Sequence, residues 1–201
     1  MNVWNFFRSL RLRYYRSKIK SHEERTIVCN NCLGGMLYHD FGIRFCSPFI
    51  NLMIPTPHFV EILSCIDRIH EFDMTNITPN NSCYPIGLLN SKWELHFMHY
   101  KTYDEAYAKW EERVQRMDFT KLYVILVETH SASYKDLVDF DKLPFKNKII
   151  LTHKVYPDIK NSVLIKQYDG INLNGELFWP ANRFGASKYD QFDWLNFLNL
   201  K

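Results

Sequence analysis

The alternation of strand and helix patterns between residues 93 and 152 constrains the fold more than any other feature of the chain. "KWELHFMHY" (92–100) reads as a strand. The helix after it opens on Thr102-Tyr103-Asp104-Glu105, a spacing at which the Thr hydroxyl and the Glu carboxylate can satisfy free backbone N–H groups. Tyr103, Ala106, Tyr107, Trp110, Val114 and Met117 recur at helical intervals and form one apolar face. Strand "KLYVILVE", a helix over 133–142 and strand "NKIILT" complete the run. Such a rhythm belongs to parallel strands joined by right-handed crossovers. It predicts an α/β fold: a three-layer α/β/α sandwich with a mostly parallel sheet.

The remaining elements fit around that unit. "RTIVC" (25–29) reads as a strand, "MLYHDF" (36–41) as a short helical piece and "IRFCSPFINLMI" (43–54) as extended chain. Thr56-Pro57 opens a helix running to about Phe72. A polar, turn-rich loop (73–83) precedes "YPIGLLN", which pairs with the next strand around Asn90-Ser91. "SVLIKQY" (162–168) supplies a further strand, and a last helix centres on "YDQFDWLNFL" (189–198). With 201 residues, no internal repeat and no long linker, the pattern predicts one α/β domain (23–201) behind a basic arm (1–22).

The net charge of +3 is too small for a nucleic-acid protein, and it is uneven. Residues 1–25 carry Arg8, Arg11, Arg13, Arg16, Lys18, Lys20 and Arg25 against Glu23 and Glu24, so this arm is +5 and the remainder −2. A helix over 2–20 would place Val3, Phe7, Leu10 and Tyr14 on one stripe with Phe6 beside it, and Arg13, Arg16 and Lys20 opposite. One reading lays that helix on an anionic membrane surface. The other docks it on its own domain or on a second subunit. No run reaches the ~20 apolar residues of a membrane span, and no secretory signal is evident. The five cysteines (29, 32, 46, 65, 83) are odd in number and irregularly spaced. A reduced cytoplasmic protein, peripheral on the inner membrane if the arm binds lipid, is the expectation.

Candidate site residues gather where strands end. "TIVC" runs into Asn30-Asn31-Cys32, "LHFM" into His99-Tyr100-Lys101, "VILVE" into Thr129-His130-Ser131 and "KIILT" into His153-Lys154. Parallel sheets bind ligands outside the carboxyl ends of their strands, so parallel neighbours would bring these clusters to one rim. Gly34-Gly35 would let the backbone turn after the first strand and expose N–H groups at a helix start, which suits an anion. Neither a G-x-G-x-x-G nor a Walker loop is present, so the residues name no cofactor. His96 and His99 would point to opposite faces of a strand and cannot share a metal ion. Lys109, Arg113 and Arg116 form either a cationic strip for phosphate or carboxylate or a set of intrahelical ion pairs. His130 and His153 are candidate general bases near neutral pH. Cys29, at the end of a buried strand, behaves as a small apolar group, which sets aside a CxxC reading; Cys32 stays open between packed thiol and reactive group.

"NNCLGG" (30–35), "SPFINLMI" (47–54), "YPIG" (84–87), "HFMHY" (96–100), "KWEERVQR" (109–116), "LPFKNKIILTHKVYP" (143–157) and "IKQY" (165–168) occur in order across nearly the whole domain. In this set the chain resembles the bacterial domain of unknown function 1919 family, often labelled exopolysaccharide biosynthesis protein. The resemblance implies a Rossmann-like fold and a setting of capsule or surface-polysaccharide assembly, but no established reaction. The chain departs from the family pattern at Cys29, where Ser is usual. It also departs at Glu128-Thr129-His130-Ser131, where an acidic stretch is usual; Glu128 and His130 are the remaining stand-ins.

Two functions follow as expectations. The first is a transferase acting on a glycan or activated sugar, with His130, His153 and Glu128 as catalytic groups. Asn30, Asn31, Cys32, Gly34, Gly35, His99, Tyr100, Arg113, Arg116 and Lys154 would bind the ligand. The second is a non-catalytic glycan-binding or scaffold module of the polysaccharide machinery, attached to the inner membrane by its arm.

Overall fold

Strands whose successive residues are all apolar need cover on both faces, and "TIVC" and "LYVILV" are of that kind. In the computed structural model, which describes residues 2–19, 24–170 and 176–198, both are buried along nearly their whole length. The described chain runs α1 (Val3–Ser17), β1 (Thr26–Cys29), α2 (Leu33–Phe41), α3 (Thr56–Leu63), β2 (Met74–Asn76), β3 (Ile86–Leu89) and β4 (Trp93–His96). It continues through α4 (Tyr103–Val114), β5 (Leu122–Val127), α5 (Tyr134–Lys142), β6 (Lys148–Thr152), β7 (Ser162–Leu164) and a single turn, α6 (Trp194–Phe197).

Two sheets form. One is parallel throughout, in the order β1-β5-β6-β7, with Cys29 opposite Ile125 and Val127 opposite Leu151. The other is antiparallel, in the order β2-β3-β4. The fold is therefore mixed α/β, and the strand from "KWELHFMHY" lies outside the parallel sheet to which the rhythm assigns it. The cause is local. Asn90 and Ser91 take positive φ (50° and 54°) in the three-residue connection (90–92) that folds β4 straight back on β3. A partner three residues away is reached at far lower loop-closure cost than one across the domain.

Alternate residues of the parallel strands enter two apolar clusters. Val28, Val124, Leu126 and Ile150 pack with α3, α5, Trp110 of α4, and Leu89, Trp93 and Leu95 of the antiparallel sheet. Ile27, Cys29, Ile125, Val127, Ile149 and Leu151 pack with Leu33, Leu37, Tyr38 and Phe41 of α2 and with Tyr189, Trp194 and Leu198. Caps appear where the sequence places them: Thr102 accepts the Glu105 N–H, and Ser133 with Asp136 closes a reciprocal capping box on α5. The expected C-terminal helix is instead a 3₁₀ turn (Lys188–Gln191) and α6, separated by extended Phe192 and restarted by the Asp193 cap.

Helix α1 docks by a mixed face on which Trp4, Phe7, Leu12 and Tyr15 surround buried Arg8. Buried Arg8 donates to Asp190 Oδ2 (2.5 Å) and the Gly185 carbonyl (3.2 Å), and also to Asp40 and Tyr189. Tyr15 donates to Asp190 Oδ1 (2.9 Å) and stacks on Phe41. Of the expected apolar stripe, Val3, Phe6, Leu10 and Tyr14 face away from the domain, and only Phe7 turns partly inward. Lys20, which the helical pattern sets opposite that stripe, lies outside the described residues. Among the described residues no helix is long and apolar enough to cross a membrane.

Removing one member of a buried charge network leaves the others without a counterion, at a cost of roughly 3–5 kcal/mol. Arg8→Met should lower stability by about that amount in urea unfolding, since Asp40 and Asp190 both stay buried behind it.

Candidate functional site

The parallel register brings the ends of β1, β5 and β6 to the same edge. There the first residue past β5 is Glu128, 4% exposed, and the first past β6 is His153. Glu128 Oε2 accepts the His153 backbone N–H (3.1 Å) and lies 2.8 Å from His153 Nδ1, close enough for an ion pair but not aligned as an N–H···O bond. Oε1 accepts the Tyr156 hydroxyl, and the Tyr168 hydroxyl donates to the Glu128 carbonyl. Burial, reinforced by the Glu128 charge, pushes both phenols up, so they remain O–H donors throughout the physiological range.

Gly170 completes the seat of the imidazole. At φ +73° it lies in the left-handed region, and a Cβ there would come within 2.6 Å of His153 Nδ1. With Nδ1 sealed by Glu128 and Gly170, Nε2 is the nitrogen left to the cleft. The cleft has a volume of about 510 Å³, and Glu128, His130, His153, Lys154, Tyr134 and Tyr156 are among its lining residues. The rings of Tyr134 and Tyr156 lie 6.0 Å apart, and Lys154 Nζ sits 5.2 Å from the Tyr156 ring. Behind exposed His130, Thr56, Thr129 and Ser131 share a hydroxyl network that pins the 129–131 loop to the start of α3.

The structure thus gathers His130, His153, Glu128 and Lys154 and holds the other candidates elsewhere. Asn30 is fully buried, its amide clamped to both backbone groups of Val127 (2.9 Å each), so both ends of the side chain are already occupied. Asn31 accepts the Leu33 N–H as a cap for α2. Gly34 and Gly35 lie inside the first turn of α2, not in a loop. A Cβ on Gly34 would meet Cys29 Cβ at 3.0 Å and one on Gly35 would meet Asn51 Oδ1 at 3.2 Å, so the pair lets α2 approach its neighbours closely. Cys32 and His99 meet at 3.2 Å (Sγ to Nε2), because β4 and the chain at Met53 bridge the antiparallel sheet to the end of β1. His96 lies beside Glu94 instead, and burial lowers its pKa. Arg113 is buried on the Tyr100 hydroxyl (2.7 Å) and the Phe45 ring, while Arg116 and Lys109 both pair with Glu112. Tyr100, Arg113 and Arg116 are not among the residues that line the cleft.

Sequence reasoning passed over Tyr156, Tyr168 and Gly170. The turn dipeptide Asp169-Gly170 was a usable signal for a positive φ beside the site. Among the described residues no group of three or more His, Cys, Asp or Glu side chains is arranged to hold a metal ion.

The fold and cleft define a mixed α/β protein with a buried carboxylate–imidazole pair at the ends of adjacent parallel strands. The chain belongs to the family described as Domain of unknown function (DUF1919), whose model matches residues 2–199. It is similar to an uncharacterized protein of Haemophilus influenzae (strain ATCC 51907 / DSM 11121 / KW20 / Rd). The two are 36% identical over 179 residues, covering 89% of this chain and 86% of that protein.

Two measurements check this geometry. Gly170→Ala should lose about 1–2 kcal/mol from backbone strain alone, read by thermal unfolding, with a displaced His153 imidazole resonance. Burial raises the Cys29 thiol to about 12 and Cys32 to about 11, so neither is a thiolate at neutral pH. Iodoacetamide at pH 7.5 should label exposed Cys83 and spare both, with Cys32 reacting only as the pH approaches 11.

Proposed function

We propose that the protein is a transferase of surface-polysaccharide synthesis, acting on a sugar hydroxyl with an activated sugar as donor. The carrying observation is the Glu128–His153 pair, a carboxylate 2.8 Å from Nδ1 of an imidazole whose other nitrogen is left to the cleft. In this reading His153 Nε2 takes the proton of an acceptor hydroxyl, and Glu128 stabilises the imidazolium that results. The acceptor oxygen bonds to the donor's anomeric carbon as the bond from that carbon to the phosphate oxygen breaks. Lys154 offsets the charge on the departing phosphate, and His130 at the rim is placed to protonate it.

Three features support a sugar ligand. The cleft volume falls in the ~300–1,000 Å³ range of small-molecule sites. The Tyr134 and Tyr156 rings offer apolar faces beside polar groups, which suits the mixed surface of a sugar ring. The four-stranded parallel sheet, taken as part of a Rossmann-like sandwich, puts the cleft where such sheets bind ligands.

Nucleotide sugars, nucleotides and acyl-CoA should be screened by thermal shift against wild type and His153→Ala. A nucleotide sugar should raise the melting temperature of wild type. In the native host His153→Ala should cut polymer synthesis by about 10²–10⁴-fold, the usual worth of a general base. Glu128→Gln, which keeps the shape of the pair and removes its charge, should fall between the two. Stabilisation by no donor, together with full polymer synthesis by His153→Ala and His130→Ala, would sink the proposal.

A further inference from the structure

The outer face of α1 has no partner within the described chain, although it too carries large apolar side chains. Val3 is 61% exposed, Phe6 45%, Leu10 43% and Tyr14 51%. These side chains recur at three and four residues and so form one continuous stripe. The stripe does not end with the helix. Phe184, 54% exposed, packs edge-on against Phe7 with ring centroids 5.6 Å apart, and Arg183 lies over its ring.

The exposed charge carried by the helix itself is positive, with Asp193 as an exposed carboxylate near Tyr14 and Phe184. Arg13 is exposed beside the stripe, Arg16 and Lys18 are exposed on the same helix, and α1 contains no acidic residue. The nearby carboxylates of Asp40 and Asp190 are turned inward and paired with Arg8. The Arg8 and Tyr15 contacts hold the helix flat on the domain, so the stripe is presented in a fixed orientation.

We propose that this face is an interfacial anchor for an anionic lipid bilayer. Phe6, Leu10, Tyr14 and Phe184 enter the boundary between headgroups and acyl chains while the cations contact lipid phosphates. A flat apolar stripe flanked by cations has the form of one that lies in the membrane plane. Each basic side chain near the surface adds attraction to anionic lipid that salt screens. A second protein chain is the competing occupant, but the exposed cations of the helix would meet each other in a symmetric dimer about the stripe.

The test is flotation of the full chain with vesicles of phosphatidylcholine alone or with added phosphatidylglycerol. Wild type should float with the anionic vesicles at low salt and be released at high salt. Phe6→Ser/Leu10→Ser, altered only on the outer face, should lose binding by about tenfold or more with unchanged thermal stability. Arg13→Glu, read at low salt, should weaken binding to anionic vesicles and leave the neutral ones unaffected. Equal flotation of wild type and the double variant would overturn the proposal. So would a wild-type dimer in sedimentation that the double variant converts to monomer, with neither form floating. These outcomes are read without any sugar ligand, so they stand apart from the transferase reading.

Discussion

A parallel sheet with apolar cover on both faces can carry chemistry only at the ends of its strands, and this constraint places the polar groups of the cleft. Ile27, Val28, Val124 and Ile125 have no water on either side. A charged group among them would face a desolvation penalty of several kcal/mol. One residue past the end of β5 the same chain carries Glu128, nearly as buried but met by the His153 N–H, the His153 ring and the Tyr156 hydroxyl. The carboxylate is tolerated because those groups replace its water. Its position is the first at which backbone N–H groups of a neighbouring strand are released from the ladder and can point at it.

The same reasoning separates the cleft from a dinucleotide crevice. Crevices of that kind open where strand order reverses and adjacent loops diverge. Here the loops after β1 and β5 diverge, with α2 on one face and α5 on the other. The cleft, however, lies past β5 and β6, where α5 and the segment with Tyr156 and Ile159 pack on the same face. The opening is made instead by segments far along the chain: the turn at Asp169-Gly170 and the α3 start at Thr56 frame the ends of β5 and β6. The polar residues past β1 are drawn into structure. Asn30 locks β1 to the end of β5, and without that clamp the neighbouring backbone groups of Val127 would be buried and unpaired.

What could be read from sequence divides along the same line between local and non-local physics. The strands "LYVILV" and "KIILT", the caps at Thr102 and Ser133 and the hairpin at Asn90-Ser91 depend on neighbours within a few residues, and they lie where the pattern sets them. His130, His153, Glu128 and Lys154 were legible because a polar cluster after an apolar strand is itself a local signal. The Gly34-Gly35 pair was not: glycine in a loop and glycine pressed against another element look the same until the partner is known, and the partners are Cys29 and Asn51. Nor was the burial of Arg8, because hydropathy counts arginine as a solvated residue and cannot show the two carboxylates waiting for it. Arg8 docks the helix together with Trp4, Phe7, Leu12 and Tyr15, which leaves most of the expected stripe outward.

That docking ties the two ends of the described chain together. Arg8 holds Asp190 and Tyr189, Lys188 in the same 3₁₀ turn holds Glu176 (2.6 Å), and Glu176 accepts the Asp169 N–H (3.3 Å) beside the glycine that seats His153. Contiguity of this sort is not evidence of energetic coupling between helix and cleft. It does decide what deletion of the arm would report. Stripping residues 1–20 would leave Asp40 and Asp190 buried without their cation and loosen the segment that backs Gly170, so lost membrane binding, lost stability and a disturbed imidazole would arrive together. Substitutions confined to Phe6 and Leu10 touch none of those contacts. Only they separate what the outer face does from what the inner face holds in place.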